Sequence, residues 1–133
     1  MKFSTPQDAC PPTEIYSLYR FGGDKISHTY TLQTKDNSAS AFLIGTDEAV
    51  CHIVLEGEPH EETLVSKQHC VVQFRKRPTS DSDFIVVPYL LDLESKNGTS
   101  LNGSPVEPAR FYELREKDLI KLAGQVELVF MQK

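Results

Sequence analysis

Short apolar runs, each cut off by turn residues after a few positions, recur along the whole of this chain. No window carries the 3.6-residue periodicity of an amphipathic helix. Strands are expected over 15–20, 30–33, 41–44, 52–55, 69–75, 84–87, 89–93, 99–101, 111–114, 119–122 and 126–131. Many short strands at regular spacing favour an all-β sandwich of two antiparallel-rich sheets over any α/β layout. The last of them is expected to close the domain beside the first strand or a neighbour.

The punctuation supports that reading. Gly22-Gly23 stops the first run and Gly45 halts the apolar stretch before it. Polar loops are expected over 35–40, 56–62 and 78–83, and a charged turn over 115–118. Pro88 lies between two apolar runs, which suggests a sheet edge or a bulge. Asn97-Gly98 and Asn102-Gly103 read as tight I′ hairpin turns, which need positive φ at both central positions. Residues 1–14 are polar, contain Pro11-Pro12 and are expected to be an extended arm or linker stub. Residues 15–133 are then one domain, long enough to bury a core without staples.

Composition removes several function classes. The net charge of -5 disfavours a bulk electrostatic footprint on nucleic acid. A local basic pocket is still open to Lys67, Arg75, Lys76, Arg77 and Lys96. The apolar runs are too short to cross a bilayer, and no signal peptide is read at the start. Three cysteines, Cys10, Cys51 and Cys70, are an odd set at irregular spacing. They read as reduced, intracellular thiols buried in strands rather than a disulfide framework. Cys51-His52 and His69-Cys70 lack the paired spacing of a zinc site, so neither metal nor cofactor is expected.

Three polar motifs fall at expected strand ends: Gly45-Thr46, Ser66-Lys67-Gln68-His69 and Asn97-Gly98-Thr99. Strand ends converge on one rim of a sandwich, where loops meet a ligand. The Ser66 hydroxyl suits a phosphate oxygen, because it donates without burying a charge, or else it turns the chain before a strand. Lys67 is either a mobile point charge for a dianionic phosphate or a solvated surface lysine. The Asn97 amide donates and accepts at once, which suits a peptide backbone as well as a turn. No nucleophile–base pair is evident, and His69 and Cys70, adjacent on a strand, point to opposite faces. No P-loop or G-x-S-x-G elbow is present, so no catalytic residues are assigned and no enzyme is expected.

Gly45, Ser66-x-x-His69 and Asn97-Gly98 together resemble the forkhead-associated (FHA) domain, a sandwich that recognises phosphothreonine, across about residues 15–131. Residues 66–75, 88–93 and 106–118 are similar to the Smad nuclear-interacting protein, fungal pre-mRNA leakage protein and DAWDLE family. The resemblance implies a phosphothreonine-containing partner held by Thr46, Ser66, Lys67, Lys96 and Asn97. It implies Gly45, His69 and Gly98 as the braces of those loops. It also implies a nuclear location among splicing-complex proteins, without direct nucleic-acid or membrane contact.

One position departs from the family pattern. The family's glycine is normally followed by an arginine that grips the phosphate, whereas Gly45 is followed by Thr46, Asp47 and Glu48. A threonine offers one neutral hydrogen bond in place of a charge-assisted fork, a loss of roughly 1.5–3 kcal/mol or tenfold to a hundredfold in affinity. Two readings follow: a phosphopeptide reader in which Lys67 and Lys96 restore the charge, or a degenerate FHA scaffold that binds partners without phosphate.

Overall fold

The computed structural model describes residues 3–57 and 61–133; part of the expected loop over 56–62, including Pro59, lies outside them. Eleven strands are formed: β1 (Tyr16–Gly22), β2 (Lys25–Thr31), β3 (Ala41–Gly45), β4 (Ile53–Val54), β5 (Cys70–Pro78), β6 (Phe84–Asp92), β7 (Thr99–Leu101), β8 (Ser104–Pro105), β9 (Phe111–Glu113), β10 (Leu119–Leu122) and β11 (Val126–Gln132). They make two sheets, ordered β2-β1-β11-β10-β7-β8 and β4-β3-β5-β6-β9. All pairs are antiparallel except β3–β4. β11 lies between β1 and β10, which joins the first and last strands in one sheet.

The period-two alternation of the strands explains the layers. On β5, Cys70, Val72 and Phe74 face the core, where they meet Leu18, Ile120, Leu122, Leu128 and Phe130 of the other sheet. Val71 faces the opposite way and joins Leu43, Leu91 and Leu93 in a smaller cluster. Tyr16 stacks on Phe130 with centroids 5.2 Å apart and tilts against Phe74 at 5.3 Å, tying the two layers at one end.

Several elements differ from the sequence reading. β2 starts at Lys25 rather than near residue 30, because Gly22 pairs with Lys25 and Gly23, at φ 69°, closes a two-residue turn. β2 is an exposed edge strand, so it lacks the apolar run that marks a core strand. Of the two Asn-Gly pairs, only Asn102-Gly103 is a tight hairpin, with φ of 51° and 85° between β7 and β8. At the other pair only Gly98, at 82°, has positive φ, and no hairpin forms there.

Pro88 is buried inside β6, itself an inner strand. Its partner Phe74 donates its N–H to Ser40 and accepts from Cys10, so the pair forms no hydrogen bond across the β5–β6 ladder. The missing proline N–H faces the side where β9 has ended. Of the cysteines only Cys70 is a buried strand thiol; Cys10 and Cys51 are half-buried and lie outside the strands.

The N-terminal segment packs closely. Beyond the start of β3 at Ala41, residues 8–10 run along β5, with Lys76 N–H donating to Asp8 and Cys10 N–H to Phe74. Arg75 grips the Asp8 carboxylate at 2.7 and 3.0 Å and lies over the rings of Phe111 and Tyr89. That guanidinium holds the Asp8 carboxyl below the usual carboxylate range. Arg75→Ala is expected to release the segment. The Cys10 and Lys76 amides should lose hydrogen-exchange protection while the inner β5–β6 pairs keep theirs. Undiminished protection would show that Phe3 and the backbone bonds suffice to hold it.

Candidate functional site

β3 ends at Gly45, where the loop leading into β5 crosses it. A Cβ at Gly45 would stand 2.1 Å from the Lys67 carbonyl oxygen, 2.7 Å from its carbon and 3.0 Å from the Ser66 oxygen. Only glycine permits this approach, and φ has no part in it, since Gly45 is not in the left-handed region. The approach lets Thr46 N–H donate to Ser66 O at 3.3 Å and Asp47 N–H to Lys67 O at 3.2 Å. The Cys51 thiol adds a third contact, to Lys67 O at 3.1 Å.

His69 lies beneath this loop, fully buried. Its Nδ1 accepts the Ser66 N–H at 3.0 Å, so Nε2 carries the proton and donates to Gly98 O at 2.9 Å. Burial lowers the imidazole's pKa below its ordinary value, while the Gly98 carbonyl and Asp92 pull the other way. With both nitrogens engaged on opposite loops, His69 joins the two and is not poised for proton transfer.

The loop after β6 is shaped by Asp92, a buried residue that the sequence reading passed over. Its carboxylate accepts from Ser95 N–H at 3.1 Å, from Ser95 Oγ at 2.6 Å and from Thr99 Oγ1 at 2.6 Å. The available signal was the spacing Asp92-x-x-Ser95-x-x-x-Thr99, a strand-ending carboxylate followed by two hydroxyls. The folded loop presents Lys96 and Asn97. Lys96 N–H donates to Ser66 Oγ at 3.1 Å, and Asn97 Nδ2 donates to Leu64 O at 2.9 Å.

Thr46, Ser66, Lys67, Lys96 and Asn97 therefore meet at one rim, with Gly45, His69 and Gly98 behind or beside them. Lys67, Lys96 and Asn97 are exposed, while Thr46 and Ser66 are half-buried. Arg75, Lys76 and Arg77 do not join them. They lie five to seven residues along β5 from Cys70, about 17–23 Å at strand rise. Lys76 sits over the Phe84 ring and Arg77 pairs with Glu113 at 2.6 Å, so the basic part of the rim reduces to two lysines. The Cys70 thiol beside His69 is pushed up by complete burial, which leaves it inert as a nucleophile. Among the described residues no group of three or more His, Cys, Asp and Glu could hold a metal ion. Hydroxyls and lysines on loops fixed from beneath can bind an anion; nothing in the arrangement activates a bond for cleavage.

Comparison with known proteins agrees with this geometry. The family model described as the FHA domain matches residues 42–123. Smad nuclear-interacting protein 1 of Mus musculus is 35% identical over 125 residues, 91% of this chain and 30% of that protein. Pre-mRNA leakage protein 1 of Saccharomyces cerevisiae is 30% identical over 159 residues, 98% of this chain and 75% of that protein. The chain spans between 8% and 38% of the length of the first four curated relatives it matches. Among solved structures, the yeast Pml1 splicing factor, described with its integration into the RES complex, superposes with a TM-score of 0.76 at 30% identity. It covers 100% of this chain and 98% of that one. The MEK1 FHA domain in complex with a HOP1 phosphothreonine peptide gives 0.62 at 27% identity, covering 89% and 96%. Family model, sequence relatives and architecture converge: this chain belongs to the FHA domain family, alongside Smad nuclear-interacting protein 1 and pre-mRNA leakage protein 1.

Proposed function

We propose that this chain is a non-enzymatic module that binds a phosphothreonine peptide at the rim of Thr46, Ser66, Lys67, Lys96 and Asn97. Residues 15–133 form the binding domain and residues 1–14 an arm, of which residues 8–10 run along β5. The observation that carries the reading is the state of Ser66. Its Oγ accepts the Lys96 N–H, which fixes the hydroxyl at the rim and leaves its own proton to donate to a phosphate oxygen. Two exposed lysines flank it on the same two loops and supply the charge a dianion needs. The likeness to an FHA domain solved with a phosphothreonine peptide supports the ligand class. The likeness to pre-mRNA leakage protein 1, whose structure is described as a splicing factor of the RES complex, supports a nuclear pre-mRNA splicing or retention assembly as the setting.

A second reading, a scaffold that binds without phosphate, is favoured by the makeup of the loop after Gly45. Thr46 brings no charge, the Thr46 and Asp47 N–H groups are already bonded to Ser66 and Lys67 carbonyls, and two carboxylates follow. Titrating the domain with a degenerate phosphothreonine peptide pool and its unphosphorylated twin, at two salt concentrations, separates the two. Phosphate-dependent binding that weakens with salt is expected. Equal affinity for both pools would overturn the reader in favour of the scaffold. Thr46→Arg is expected to tighten phosphopeptide binding by roughly tenfold or more, since a charge-assisted fork replaces one neutral bond. An unchanged affinity would place that loop away from the ligand.

A further inference from the structure

The turn joining β10 to β11 reaches both binding loops, although no motif in its sequence marks it. Ala123 and Gly124 stand at φ 57° and 64°, which folds the chain back sharply. Ala123 N–H donates to Gly98 O at 2.9 Å, the same carbonyl that receives His69 Nε2. Gln125 then uses both ends of its amide on the loop before β5. Its Oε1 accepts Leu64 N–H at 3.1 Å, while Nε2 donates to Glu62 O at 2.7 Å and to Glu61 Oε1 at 3.0 Å. The Leu64 carbonyl in turn accepts from Asn97 Nδ2 at 2.9 Å.

We propose that Gln125 is a positioning residue for peptide binding: it fixes Leu64, and Leu64 fixes the plane of the Asn97 amide. The inference rests on the reading that Asn97 meets the peptide backbone. A primary amide has two N–H donors and a carbonyl with two lone pairs. One N–H is held by Leu64, so the second N–H and Oδ1 are turned to a constant direction on an otherwise exposed side chain. An exposed asparagine without that anchor samples its rotamers and loses their entropy on binding, a cost that the relay removes beforehand. Glu61 and Glu62, held by the same glutamine, keep the segment from sliding along the turn.

The test is nitrogen-15 NMR of the whole chain, following the Asn97 side-chain amide pair, assigned by its disappearance in Asn97→Asp. The same samples are titrated with a fluorescein-labelled phosphothreonine peptide pool. Gln125→Met, which keeps length but loses every bond, should shift the Asn97 pair toward exposed-amide positions and weaken peptide binding roughly threefold to tenfold. An Asn97 pair unmoved in Gln125→Met overturns the relay. A moved pair with unchanged affinity overturns its role in binding. Wild-type protein that binds no phosphothreonine peptide overturns the reader and with it the binding role of Gln125; the Asn97 signal in those samples separates that failure from a failure of the relay itself.

Discussion

Gly45→Ala should displace the loop at residues 66–67 and destabilise the domain by about 3–5 kcal/mol, the largest single effect expected here. The added Cβ would stand 2.1 Å from a backbone oxygen, and backbone cannot swing aside as the tip of a long side chain can. Relief requires a movement of more than about 1 Å, judged against ordinary carbon–oxygen contact. That movement breaks the Thr46–Ser66 and Asp47–Lys67 bonds and strains the Ser66 N–H on His69. Loss of about 11–18 °C in melting temperature is expected for a domain of this size, together with loss of peptide binding. Melting at the wild-type temperature would show that the loop yields freely and that glycine is not required there.

The second large effect concerns His69. His69→Ala would leave the Ser66 N–H without a partner, reduce the Gly98 carbonyl to its bond from Ala123 N–H and open a cavity at a fully buried position, a cost of roughly 3–4 kcal/mol. The same residue makes stability depend on pH, with a definite sign. Its pKa in the folded protein is depressed below the ordinary value of 6.5, so the folded state resists protonation more than the unfolded chain does. Above pH 6.5 the imidazole is neutral in both states and the stabilisation is fully present. As pH falls below 6.5 the unfolded chain takes up the proton first, and stability declines until the folded-state pKa is passed. Protonation in place would convert Nδ1 from acceptor to donor, directly against the Ser66 N–H. Urea unfolding of wild type and His69→Gln between pH 7.5 and about 5 checks this, since glutamine does not titrate there. Parallel declines in the two proteins would show that other groups carry the acid sensitivity. Stability is the better readout than peptide affinity, because the ligand's own phosphate titrates near pH 6.

Particular residues show why some of the structure was legible beforehand. The apolar run Phe42-Leu43-Ile44, halted by Gly45, states both a core strand and its end. Asn102-Gly103 between two short runs states a hairpin, and the structure has one. Asn97-Gly98 shows the limit of the same signal: the dipeptide fits a hairpin, but the Asn97 side chain is engaged with Leu64, 33 residues away in sequence. Residues 25–29 of β2 escaped detection because an edge strand exposed along its length has no alternation to read. Arg75, Lys76 and Arg77 looked like part of a basic pocket because they follow the motif closely in sequence. A strand carries its residues about 3.3 Å further away at each step, and these three end on other partners.

Sequence alone was enough for the all-β class, for most strand positions and for the polar residues that gather at the rim. Those properties are written in local periodicity and in turn chemistry, which act over a few residues. Tertiary structure decided what holds the rim in shape: the missing Cβ at Gly45 against Lys67, the proton on Nε2 of His69, the Asp92 carboxylate under the Lys96–Asn97 loop, and the amide of Gln125. Each depends on two backbones from distant parts of the chain coming within hydrogen-bond reach. No local pattern encodes such an approach, because the distance is set by how the two sheets pack.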